Sequence, residues 1–94
     1  MKCRWTDIAI ENLNSVQEYL SDTSPASADA VVDRIFSAIE ILERYPQMGR
    51  KGRVAETREL VVTGTPFIVC YRISNERILI LAVQHGAKRW PKAF

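Results

Sequence analysis

Four residues in the second half of this chain could together cleave a phosphodiester: His85, Arg58, Arg72 and a carboxylate at Glu56 or Glu59. Cleavage of RNA at a 2′-hydroxyl needs a base for that proton, an acid for the leaving oxygen, and cations for the charge that builds on phosphorus. A carboxylate, a histidine and two arginines cover those roles. The same side chains also fit structural work, because a histidine before a glycine at a strand end is commonly a hydrogen-bonded structural residue and strand arginines are commonly solvated. Other familiar chemistries lack their motifs: there is no P-loop, dinucleotide fingerprint, Ser-His-Asp set or H-E-x-x-H. With one histidine and two cysteines, Cys3 and Cys70, a tetrahedral zinc site cannot be assembled from Cys and His alone, and no disulfide framework is available. No metal and no cofactor are expected.

Charge divides the chain more sharply than its net +2 suggests. Residues 1 to 42 carry three basic and seven acidic side chains, net −4, while residues 43 to 94 carry ten basic and four acidic ones, net +6. Such a division points to a face that meets something anionic, either nucleic acid or an acidic protein segment. Arg50-Lys51-Gly52-Arg53 and Lys88-Arg89 could touch phosphates, yet no recognition helix or aromatic-rich platform for single strands is evident. At 94 residues and 47% hydrophobic composition, one domain over residues 1–94 is expected, built from a few elements in two layers. Apolar runs such as Arg77 to Val83 are too short to span a bilayer, and the opening residues lack the pattern of a secretory signal, so a cytoplasmic protein is expected.

The elements that must position these side chains can be read from periodicity. Lys2 to Trp5 alternates as a short strand, with Cys3 and Trp5 on one side and Lys2 and Arg4 on the other. Thr6 then caps a helix from Asp7 to about Asp22, whose stripe is Ala9, Leu13, Val16 and Leu20. Ser24-Pro25 starts a second helix with the stripe Ala28, Val31, Val32, Ile35, Ile39 and Leu42, widened by Phe36 and stopped at Tyr45-Pro46. Pro46 to Gly52 reads as a loop. Beyond it the period becomes two, giving strands over Glu56 to Val62, Phe67 to Ile73 and Arg77 to Gln84, joined by turns at Thr63 to Pro66 and Ser74 to Glu76. In the middle strand Phe67, Val69, Tyr71 and Ile73 share one face, and Ile68, Cys70 and Arg72 the other. The expected fold is α+β: an N-terminal strand, a helical hairpin and a three-stranded antiparallel meander, with the helices on one sheet face. The other face is expected to stay partly open, rimmed by Arg58, Arg72 and the basic loop.

Four stretches, in this order and spacing, resemble the RelE/ParE superfamily of bacterial toxins, and most closely its ParE, or plasmid-stabilisation, branch: Tyr45 to Arg50, Arg58 to Val62, Gly64 to Ile73 and Ile80 to Pro91. The resemblance implies a toxin of a type II toxin–antitoxin operon, held by a small ParD-like antitoxin that wraps it and meets operator DNA on its behalf. RelE-like members cleave mRNA on the ribosome; ParE-like members are best known for poisoning DNA gyrase without hydrolytic chemistry. Here His85 is followed by Gly86-Ala87 and not by a tyrosine or a second histidine, and the ending through Lys88-Arg89-Trp90-Pro91 is similar to that of ParE. The resemblance therefore implies gyrase inhibition, with ribosome-dependent cleavage through His85, Arg58 and Arg72 as the alternative and a binding-only module of operon repression as a third. The charge asymmetry fits an arrangement in which Arg50, Arg53, Arg58 and Arg72 meet the antitoxin, and Lys88, Arg89, Trp90, Lys92 and Phe94 meet the target. On that basis deleting the tail from Lys88 to Phe94 should abolish toxicity while leaving the fold.

Overall fold

A computed structural model describes the chain from Met1 to Phe94. Its elements are β1 (Lys2–Trp5), α1 (Asp7–Thr23), α2 (Pro25–Arg44), β2 (Arg50–Lys51), β3 (Arg58–Val61), β4 (Phe67–Ser74) and β5 (Arg77–His85). Both helices begin where a side-chain acceptor meets an orphan amide. Thr6 Oγ1 accepts from the amide of Ala9 at 3.3 Å and donates to the carbonyl of Ile80 at 2.8 Å, so this cap also fastens α1 to the sheet. Ser24 Oγ accepts from the amide of Ser27, with Pro25 at the first helical position, where a missing N–H leaves nothing unpaired. No helix is long and apolar enough to cross a membrane.

The sheet has five strands in the order β1-β5-β4-β3-β2. β1 pairs with β5 in parallel, and the remaining pairs are antiparallel. The turn between β4 and β5 places Asn75 and Glu76 both at positive φ, which matches the right-handed twist of a tight hairpin. Against one face lie the helices. Ala9 and Val16 of α1 and Ile35, Ala38, Ile39 and Leu42 of α2 close over Val62, Val69, Tyr71, Ile78, Ile80 and Val83. At the other end of this layer Phe36 stacks obliquely on Trp5, ring centroids 5.9 Å apart, which accounts for the widened stripe.

Three expectations are corrected here. The stretch from Pro46 to Gly52 is not wholly loop, since Arg50 and Lys51 pair with Glu59 and Arg58 as an edge strand. The strand expected from Glu56 starts only at Arg58, because Glu56 takes a positive φ and turns the chain. The second sheet face is not left open: the tail folds back so that Trp90 and Phe94 pack, with Leu79, on Cys70, Leu81 and Ala82. Those three residues form an apolar floor that would otherwise face water.

One irregularity decides which residues share a face. Cys70 lies opposite Ala82 and Tyr71 opposite Ile80, so Leu81 is an extra residue on β5. Leu81 and Ala82 consequently both belong to the outer cluster, while Ile80 and Val83 both point to the helices. Such a bulge inverts the alternation of everything after it.

Candidate functional site

His85, Arg58 and Arg72 are not brought together. His85 pairs with Phe67, beyond the bulge, and its ring meets the Phe67 ring edge-on at 5.9 Å on the helix side of the sheet. Arg58 pairs with Tyr71 on that same side, four residues further along β4, which is about 13 Å of strand. Its guanidinium donates to the carbonyls of Gly49 at 2.9 Å and Gln47 at 3.3 Å, bracing the loop after α2. Arg58 therefore does not rim the outer face. Arg72 lies opposite Leu79 on the outer side, its Nε donating to the carbonyl of Glu56. The histidine Nδ1 accepts from the amide of Ala87 at 3.1 Å, a short-range structural contact.

Of the two suggested carboxylates, Glu56 sits on a turn with its backbone carbonyl against Arg72, on the face away from His85, and Glu59 is 3% exposed, beneath Arg50 and Arg53. Glu59 Oε1 accepts from Arg50 at 3.1 Å and Arg53 at 3.2 Å, and Oε2 accepts from the Arg53 amide at 2.7 Å and its Nε at 3.1 Å. Burial alone would raise the carboxyl pKa, but the hydrogen bonds from Arg53 and Arg50 outweigh it and hold the group below its usual range. Arg53 then stacks on the Trp90 ring at 4.0 Å, and Trp90 Nε1 donates to the carbonyl of His85. The tail is thus pinned at both the indole and the terminal ring, and it covers the apolar floor of Cys70, Leu81 and Ala82. Of its residues, Trp90 and Phe94 are packing groups, and Lys88, Arg89 and Lys92 are exposed.

Two helices against a five-stranded mixed sheet match the fold of solved toxin–antitoxin structures. The chain matches the model of the ParE toxin of type II toxin–antitoxin systems, parDE, over residues 3–90. It belongs to the ParE toxin family. A candidate toxin, Y4kP of Sinorhizobium fredii, is 41% identical over 91 residues, covering 97% of this chain and 94% of that one. Toxin RelE2 of Caulobacter vibrioides is 31% identical over 84 residues, with 89% and 93% covered. Among solved structures, the chromosomal ParDE system of P. aeruginosa superposes with a TM-score of 0.80 at 25% identity, covering 90% of this chain and 95% of that one. The RelBE2 toxin–antitoxin complex of Mycobacterium tuberculosis gives 0.58 at 26% identity, with 89% and 95% covered. The protein is a toxin of a type II toxin–antitoxin system.

On the helix side the toxin exposes apolar surface that its sequence periodicity does not reveal. Tyr45, Met48, Ile41 and Val61 are between 42% and 64% exposed and surround the end of α2. Met48 divides two shallow hollows. One, of about 630 Å³, is formed by Met1, Tyr45, Pro46 and Ile73 with Arg44; the other lies between α2 and the end of β3 that β2 does not cover, where Ile41, Leu60 and Val61 meet Arg34. A second group outside the sequence-based candidates is cationic: Lys2, Arg4 and Arg77 join Arg72 on the outer face. The alternation of Lys2 and Arg4 against Cys3 and Trp5 was the available signal; the pairing of the first strand with the last is what completes it.

Proposed function

We propose that this toxin poisons DNA gyrase, stabilising its cleaved-DNA state, and that a ParD-like antitoxin neutralises it and reaches operator DNA for the pair. The separation of His85, Arg58 and Arg72 by the sheet and its bulge carries this choice, because a general acid cannot share one phosphorus with a clamp about 13 Å away along its own face and another on the opposite face. The likeness to the ParDE system supports the partner class. A RelE-like nuclease is the second reading, favoured by the relative named RelE2.

The antitoxin's wrapping segment lies in the hollows on either side of Met48, with apolar anchors between Tyr45, Ile41 and Val61 and acidic side chains on Arg34, Arg44 and Arg58. Arg50 and Arg53, already joined to Glu59, lend it rim charge at most. Lys88, Arg89 and Lys92 contact gyrase from the tail, while Trp90 and Phe94 hold that tail in place.

Induced expression followed by pulse labelling of DNA and protein synthesis tests the target. Early loss of DNA synthesis, with cleaved gyrase–DNA complexes accumulating in a purified assay, is the expected result. Early loss of protein synthesis, abolished by His85→Ala, would replace gyrase with the ribosome. A folded toxin that stops neither would be a binding module of repression only.

A further inference from the structure

We infer that the outer corner of the sheet formed by Lys2, Arg4, Arg72 and Arg77 is a binding site for the phosphate backbone of duplex DNA, engaged by the toxin itself. Lys2 is the partner of Arg77, and Arg4 and Arg72 flank Leu79 from either side, so the four cations stand in two adjacent rows of one face. Two residues along a strand are about 7 Å and two strands across are about 10 Å, which sets the size of the patch. None of the four is in a salt bridge; the ion pairs of the molecule are those of Glu59 with Arg50 and Arg53. Glu76, in the turn beside Arg77, and Glu56, whose carbonyl receives Arg72, leave these cations without a carboxylate partner.

The composition of the corner distinguishes nucleic acid from an acidic peptide. Protein partners anchor through apolar side chains in pockets, and this toxin keeps its apolar hollows on the helix side. At the corner the hollow is lined by Arg4, Arg77, Ser74, Asn75 and only one apolar residue, Leu79. Single strands need exposed rings to stack bases, whereas the aromatic residues of this face, Trp90 and Phe94, are packed on Cys70, Leu81 and Ala82. What is left is charge with serine and asparagine donors, which suits phosphates and carries no base readout. A duplex presents one negative charge per ~1.7 Å of axis, so a 10 Å patch faces about three phosphates on the nearer strand and others beside them. The tail bearing Lys88, Arg89 and Lys92 crosses the same face and extends the cationic track. The inference stands apart from the choice of target, since it concerns DNA binding by the toxin alone.

Fluorescence polarisation of a labelled 24-base-pair DNA duplex, with the full-length toxin titrated between about 50 and 200 mM salt, tests it. Four phosphate contacts predict that affinity falls about 150-fold across this range, and Arg4→Ala/Arg77→Ala should reduce the fall to about twelvefold, at a slope of −0.9 per contact. Both residues lie at the surface, so thermal melting should be unchanged and serves as the folding control. No duplex binding by folded toxin, or a salt slope unaltered in the double variant, would overturn the assignment. Tighter binding of a single-stranded RNA of equal length would overturn the duplex. Displacement of the labelled duplex by polyglutamate at a lower charge concentration than unlabelled duplex requires would convert the corner to an acidic-protein site.

Discussion

Replacing Glu59 tests whether the outer face is organised around one buried carboxylate. In Glu59→Gln the amide oxygen can keep one pair of acceptor contacts, to Arg53 N and Nε at 2.7 and 3.1 Å in the native protein. The amide NH₂ then faces the guanidinium donors of Arg50 and Arg53, and two charge-assisted bonds are lost. A hydrogen bond to a charged group contributes about 1.5–3 kcal/mol. Because the side chains of Arg50 and Arg53 are 56% and 39% exposed and rehydrate, a cost near the lower end, about 2 kcal/mol, is expected. At about 4–8 °C per kcal/mol for a domain of this size, melting should fall by roughly 8–16 °C. Arg53→Ala should cost more, about 3 kcal/mol, since it takes two of four donors from a carboxylate that stays buried, leaving it Arg50 and the backbone amide of residue 53. The pH dependence has a definite sign. A carboxyl whose folded pKa is depressed stabilises the fold above the ordinary carboxyl range of about 4.3 and loses that contribution as pH falls through the folded value. Urea unfolding of both proteins at about pH 7 and then downward toward about pH 3 should therefore show the gap narrowing. Equal stability at neutral pH, or a gap that persists unchanged in acid, would refute this account.

Other expectations follow from single contacts. Tyr71→Phe removes the hydroxyl that accepts from the Gly49 amide at 2.8 Å and donates to the Pro46 carbonyl at 2.7 Å, leaving a buried N–H unpaired at a cost of about 1–3 kcal/mol in urea unfolding. Gly49→Ala drives a methyl into the Tyr71 ring and should cost about 1–3 kcal/mol, with a double variant whose losses are less than additive. Trp90→Ala/Phe94→Ala uncovers the fully buried Cys70 and should speed its native-state maleimide labelling roughly tenfold or more, a rate set by local opening. Burial, reinforced by Glu43, pushes the Cys3 thiol up to about 11, so at about pH 8 it should alkylate roughly a hundredfold more slowly than an ordinary thiol and accelerate as pH rises toward that value.

How much of this was legible differs by element. Helix starts were written locally, in Thr6 and in Ser24-Pro25, because a cap acts within its own turn. Faces were legible wherever alternation ran unbroken, as for Val69, Tyr71 and Ile73 of β4 against the helices. Strict alternation along β5 would have put His85 on the side of Leu79 and Arg72; the extra residue at Leu81 places it with Phe67 instead. Nothing in the stretch Ile80 to Val83 announces the bulge, because every residue there is apolar and suits either face. Glu59 illustrates the same point. A charged residue in an alternating strand reads as solvated, and only the return of Arg50 and Arg53 from the preceding loop makes its burial favourable.

By itself, the sequence determined the kinds and order of the elements, the helical stripes and the family text, all of which depend on neighbours within a few residues along the chain. The tertiary structure decided what lies across the sheet: that β1 closes beside β5 to gather Lys2, Arg4, Arg72 and Arg77, that the tail covers Cys70, and that His85 falls on the face opposite Arg72 and far along the sheet from Arg58. Those outcomes turn on register and on a one-residue bulge, and register is fixed by contacts between segments as far apart as Lys2 and Arg77, which no local pattern records.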